Sequence, residues 1–266
     1  MDSRAPLTPK LPREIERLIF EWAAWGDYDT TLKLLVVARR VHFWVERFLH
    51  RVLVLEHTSY AAPPTRTPSL ENPKHAQWLD CVACIAREDL CQWKTILASC
   101  KNITDLALWG GCNLGHPVSV FQPLENLRRL SVDGAVFEDI LSPADLAALQ
   151  RLTHLQIFGL CPPELVGTLR RLPRVRYLSL LLCQGFSTGF VGRVLDAPSG
   201  LRLLVYLQTG GQTRALDDVE ARIADHRFVV ITGHDFREDW VVGAWGGRDY
   251  WVLAEEIVQD RIRTRE

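Results

Sequence analysis

Nowhere in the 266 residues does an apolar run approach the roughly 18 residues of a membrane-spanning helix; the longest are short, such as Leu34 to Ala38. Net charge is nearly absent as well, formally -1 at pH 7. No global field therefore draws the chain to nucleic acid or to an anionic membrane. Arginine pairs such as Arg39-Arg40, Arg128-Arg129 and Arg170-Arg171 are scattered and read as solvated faces. The stretch Met1 to Lys10 is polar, holds two prolines and lacks the apolar core of an export signal. A cytoplasmic or nuclear location is the expectation that follows.

Catalytic patterns are missing too. The chain holds no Gly-rich phosphate loop, no G-x-S-x-G and no H-E-x-x-H. The paired carboxylates Asp217-Asp218, Asp235 with Glu238-Asp239, and Glu255-Glu256 fall on predicted helix surfaces or turns, where solvation explains them. His234 and Asp235 are adjacent, and adjacent strand residues point apart. The chain is therefore expected not to be an enzyme. Seven cysteines are present, an odd number without an export signal, which argues against a disulfide framework. Cys81-x-x-Cys84 has zinc-like spacing, but Cys91 and Cys100 do not form the second close pair that a structural site needs. Buried apolar thiols are the expected state, with no metal and no cofactor.

What the chain does have is a repeat. Hydrophobic residues make up 47% of it, enough for a sizeable core. They recur in an L-x-x-L-x-L frame: Ile103-Leu106-Leu108, Leu127-Leu130-Val132, Leu152-Leu155-Ile157, Val175-Leu178-Leu180 and Leu201-Leu204-Tyr206. First positions are 24, 25, 23 and 26 residues apart. Weaker copies are read at Leu49-Val52-Val54, around Trp78, and at Phe228-Ile231. Helical patterns separate the frames: Leu90, Trp93 and Leu97; Pro143 to Leu146 after Ser142; Pro163 to Leu169; and Leu216, Val219 and Ile223. Cys112, Cys161 and Cys183 stand eight or nine residues into three of the frames, as small groups turning the chain off its strand.

The frame and its period resemble those of leucine-rich-repeat proteins, from about Leu49 to about Ile231. The resemblance implies an α/β fold: a curved solenoid of parallel strands with helices on its convex side. Strand side chains alternate, so the residues between the buried leucines would line a concave face. On that reading Trp109, Arg129, Asp133, His154, Phe158 and Tyr177 form a partner-binding surface.

Ahead of the repeats, Leu11-Pro12-Arg13-Glu14-Ile15 opens a helical pattern through Leu18, Ile19 and Trp22. Gly26 to Asp29 breaks it. Thr30 or Thr31 is placed to cap a second helix through Leu32, Leu35 and Val36, and Val41, Trp44, Val45 and Phe48 mark a third. This head resembles an F-box, whose opening Leu-Pro-x-Glu-Ile is matched by Leu11, Pro12, Glu14 and Ile15, with Ile19 and the late Trp44 also in place. The usual Cys-Arg stretch is replaced by Val37 to Arg40. F-box then leucine-rich repeats is a family order well represented among fungal proteins. It implies that Leu11, Pro12, Glu14, Ile15 and Ile19 dock on a Skp1-like adaptor of a cullin-RING ubiquitin ligase, while the repeats select a target protein. A plain interaction scaffold without a ligase role is the alternative.

The expected domains are an all-α head at 1–48, a solenoid at 49–236 and a C-terminal cap helix at 237–266. In the last segment Tyr250, Leu253, Ile257 and Ile262 give a helix from about Asp249 to Arg263 an apolar face, and Trp240, Trp245 and Trp251 cluster in sequence. A cap is the favoured reading of that cluster over a ligand pocket.

Overall fold

The computed structural model describes residues 11–56, 73–85, 97, 99–109, 121–139, 143–184, 187–197, 200–208 and 222–265. It opens with three helices, α1 (Arg13–Trp25), α2 (Tyr28–Leu34) and α3 (Arg39–Val45), closed by a 3-10 turn, Glu46–His50. Pro12, which has no N–H to satisfy, precedes α1, and Glu14 and Glu16 lie near its positive N-terminal end. The cap of α2 differs from the expected threonine. Asp27 accepts from the Thr30 amide at 2.8 Å, and the Thr31 hydroxyl instead donates to the Ala24 carbonyl at 2.8 Å. A carboxylate one residue ahead of the helix reaches the free amides better than a hydroxyl already inside it. Val41, Trp44, Val45, Phe48 and Ala24 form the head's own core, with Phe20 packed against it.

After the head, eight strands lie side by side in chain order: β1 (Val52–Glu56), β2 (Cys81–Ile85), β3 (Asp105–Trp109), β4 (Arg129–Asp133), β5 (His154–Leu160), β6 (Tyr177–Gln184), β7 (Leu203–Gln208) and β8 (Phe228–Thr232). Every neighbouring pair is parallel. The described helices of the crossovers are α4 (Pro73–Trp78), α5 (Gly134–Asp139), α6 (Pro143–Ala148), α7 (Leu165–Arg171) and α8 (Thr188–Leu195). Two more follow the sheet, α9 (Phe236–Ala244) and α10 (Tyr250–Arg265). The fold is thus α/β, built on one parallel sheet.

The five strong frames are in register. Leu106 pairs with Leu130, Leu130 with Leu155, Leu155 with Leu178 and Leu178 with Leu204. A main-chain ladder runs beside them. The carbonyls of Arg51, Asp80, Thr104, Arg128, Thr153 and Arg176 each accept two amides from the entry to the next strand. Each unit thus supplies the hydrogen bonds its neighbour cannot make alone. The leucines of the frames share one core with Leu146, Leu149, Leu165, Leu169, Val191 and Val194 of the covering helices.

The three weaker copies fall elsewhere than expected. In β1 it is Leu53 that enters the helix-side core, whereas Val52 and Val54 pack on the opposite face. The second unit is framed by Leu79 and Val82, both buried, and Trp78 ends a helix rather than centring a strand. At the far end Phe228 pairs with Leu204, the middle position of its frame, so the frame begins three residues earlier than Phe228. Both faces of these strands are apolar, and alternation alone cannot say which face is which. Of the three turn cysteines, Cys161 packs half-buried against the helix-side core; Cys112 and the side chain of Cys183 lie outside the described residues, as does the expected helix through Leu216 and Val219.

Candidate protein interface

Leu11, just ahead of α1, and Ile15, Leu18, Ile19 and Trp22 on it recur at helical spacing and form a single stripe. An amphipathic helix ordinarily turns such a stripe inward. Here all five are exposed, Trp22 at 83%, and it is the opposite side that packs. Phe20 lies 6.5 Å from Trp44, ring to ring. Glu16 pairs with Arg40 of α3, and Glu21 pairs with Arg17 and with Arg47 of the following turn. Charge and core together therefore fix α1 with its apolar face in solvent. Outside α1, Val36 (85% exposed), Val37 and Phe43 (80% exposed) are further exposed apolar residues of the head. Pro12 and Glu14, also exposed, stand at the start of the same helix. Leu18, Trp22, Val36, Val37 and Phe43 are exposed apolar residues outside the motif. For Leu18 and Trp22 the sequence signal is the strong amphipathicity of α1, whose direction a single helix does not reveal.

The second candidate surface is largely covered: Trp109 is buried, and Arg129, Asp133, His154, Phe158 and Tyr177 are half-buried. Helices α9 and α10 lie on the sheet face opposite the frames, where the concave surface was expected. Trp109 is 1% exposed, held edge-on by Phe236 and Trp240 at 5.6 Å each. Arg129 joins Asp105 (3.2 Å) to Asp249 (2.6 Å) in a covered ion triad, and Trp240 Nε1 donates to Asp105 at 2.9 Å. His154 stacks on Tyr177 at 4.2 Å, and both meet the edge of Trp251. Phe158 is half-buried beside Phe236. Asp133 accepts from the Ala135 amide at 2.8 Å and so opens α5. The expectation that these residues form an open surface is therefore overturned. The tail supplies Tyr250, Trp251, Ala254, Val258, Trp240 and Ala244, and covering two apolar clusters removes their area from water.

Beneath the tail the charges are tuned by that cover. Burial pushes the Asp105 carboxyl up to about 6, against the pull of Arg129 and Trp240. Burial, with Arg129 beside it, drives His154 down to about 3, so the ring is neutral near pH 7. Burial disfavours the charge of Arg129, but Asp105 and Asp249 outweigh it and hold its pKa up. These shifts belong to a closed polar layer. Trp109 donates to Ser131 (3.0 Å) and Ser131 to Gln156 (2.6 Å), which extends it across three strands.

The three tail tryptophans do not gather. Trp240 seals β3, Trp251 seals β5 and β6, and Trp245 meets Tyr28 of the head edge-on at 5.9 Å. His234, which pairs with Asp239 rather than with Asp235, stands at the start of this tail, and Asp235 caps α9. No family model matches the chain, and no curated protein matches it in sequence. Among the described residues, no helix is long and apolar enough to cross a membrane.

Proposed function

We propose that the chain is an F-box-type adaptor: the helical head docks on a Skp1-like subunit of a ubiquitin ligase, and the sheet is the body of a leucine-rich-repeat solenoid. The outward apolar stripe of α1 carries the reading. An exposed row of that size, on a helix whose polar side is held inward by ion pairs, has the form of a helix that completes its packing in a partner's groove. Leu11, Pro12, Glu14, Ile15 and Ile19, the residues through which the head resembles an F-box, stand on or beside it. The protein then acts by bringing two others together, not by catalysis. Because α9 and α10 occupy the face opposite the frames, the proposal places no target protein there.

Co-expression with a Skp1-like adaptor tests it. The unmodified chain should co-purify in equal stoichiometry. The double substitution Ile15→Asp with Ile19→Asp should abolish this, because a charge in an apolar anchor site loses both packing and solvation. Both side chains are exposed, so Tm should stay within a degree or two. Absence of the complex with the unmodified chain, or a double variant that still co-purifies, defeats the proposal.

A further inference from the structure

A cavity of about 670 Å³ lies where the head meets the first two sheet units, and its walls come from three helical elements and from the residues that lead into β1 and β2. Trp22 and Trp25 of α1, Phe48 of the 3-10 turn and Trp78 at the end of α4 make it aromatic. Its volume falls within the range of small-ligand sites, on the order of 300 to 1,000 Å³. Arg51 lines it and is only 4% exposed. One arm of this guanidinium is used: Nη2 donates to the Trp25 carbonyl at 2.9 Å. Its face lies 4.0 Å from the Trp25 ring and 5.0 Å from that of Trp245, which fixes its plane. Nε is buried and has no hydrogen-bond partner among the described residues. No carboxylate of the described residues lies within ion-pair distance of Arg51, and an unanswered buried donor on a full positive charge is costly.

We propose that this cavity binds a monocarboxylate carried on an aromatic or apolar body, with the Arg51 guanidinium answering the acid group and the tryptophans lining the space for the body. Arg47, which lines the cavity and is half-exposed, supplies a second cation. The acidic side chains there set the charge limit. Glu21 is already bonded to Arg17 and Arg47. Asp80 is half-buried and lines the same space. A dianion such as a phosphate ester would meet about twice the repulsion from the Asp80 carboxylate that a single negative charge meets, so the monoanion answers Arg51 at the smaller cost. The site shares Leu18 and Trp22 with the outer stripe of α1 but uses none of the residues through which the head resembles an F-box, so loss of adaptor binding in the Ile15→Asp, Ile19→Asp variant leaves this proposal standing.

Isothermal titration of the full chain tests the site with three probes: phenylpropanoate, its amide phenylpropanamide, and phenyl phosphate. Phenylpropanoate should bind saturably at one site; the amide should bind at least about tenfold more weakly through loss of the charged hydrogen bond, and phenyl phosphate more weakly through repulsion by Asp80. Arg51→Gln should abolish binding. Trp22→Ala, at a side chain that is largely exposed, should weaken it severalfold without moving Tm. If Arg51→Gln does not fold, the Trp22→Ala and acid-against-amide comparisons decide. A free acid and a polypeptide C-terminus present the same chemistry; a hexapeptide ending in phenylalanine, compared with its amidated form, separates the sources. The proposal is overturned by no binding of phenylpropanoate or the free-terminus peptide, by equal affinity for acid and amide, by tighter binding of phenyl phosphate, or by a folded Arg51→Gln chain that binds like the parent.

Discussion

Replacing Trp109 by Ala asks directly whether the tail seals the sheet. The side chain is 1% exposed. Its ring has edge contacts with Phe236 and Trp240, and its Nε1 donates to Ser131. Truncating a buried Trp to Ala costs about 3 to 5 kcal/mol through lost transfer energy and the void left behind. The orphaned Ser131 acceptor adds roughly 1 kcal/mol. These contributions overlap, and the expected total is about 4 to 5 kcal/mol, a large share of the roughly 5 to 15 kcal/mol that holds a typical domain. Urea unfolding followed by far-UV circular dichroism measures it, with Trp22→Ala as the exposed control, expected to change stability by less than about 0.5 kcal/mol. A Trp109→Ala chain within about 1 kcal/mol of the parent would refute the reasoning, for it would mean that α9 does not cover β3.

Three further expectations rest on neighbouring features. Changing Arg129 to Met leaves Asp105 and Asp249 facing each other without a cation and should cost about 3 to 5 kcal/mol, measured by the same unfolding curve; restoring the loss with Asp105→Asn in the double variant would show coupling. Gly134→Ala should be destabilising by about 2 kcal/mol or more in thermal melts, because its Cβ would stand 1.6 Å from the Leu160 carbonyl oxygen, a backbone atom that cannot swing away. Stability against pH should carry two opposed contributions. The unfolded chain protonates His154 near pH 6.5 but the folded chain only near 3, so stability falls as pH drops between those values. Asp105 is held up to about 6, so the folded chain gains a proton before the unfolded one does, and stability rises as pH drops from about 6 to about 4. Asp105→Asn removes the second contribution, and between pH 6 and 5 that variant should lose about 1 kcal/mol more than the parent; parallel curves would contradict the assignment.

Particular residues show how far the sequence could be read. Leu106, Leu130, Leu155, Leu178 and Leu204 announced their strands because each is the middle of a frame repeated at nearly constant spacing. The units at either end were misplaced. In sequence, Leu79 and Val82 are masked by the more conspicuous Trp78, and Phe228 reads as the start of a frame whose middle it is. The head's helices were legible from Ile15, Leu18, Ile19 and Trp22, but a helical stripe has no sign, and only the ion pairs of Glu16 and Glu21 show that it faces out. Arg51, Asp80 and the cavity they line left no local mark, since the lining comes from separate elements.

Period, strand identity and the division into a helical head and a repeated body are properties of the sequence by itself, because each depends on residues within one or two units of one another. The fate of the second sheet face is not. Trp240 reaches Asp105 across 135 positions and Asp249 reaches Arg129 across 120. Trp109, Phe158 and Tyr177 carry the same aromatic character whether solvent or another part of the chain lies above them. Tertiary structure decides between these, because burial of an apolar face depends on which distant segment is long enough, and apolar enough, to lie across it.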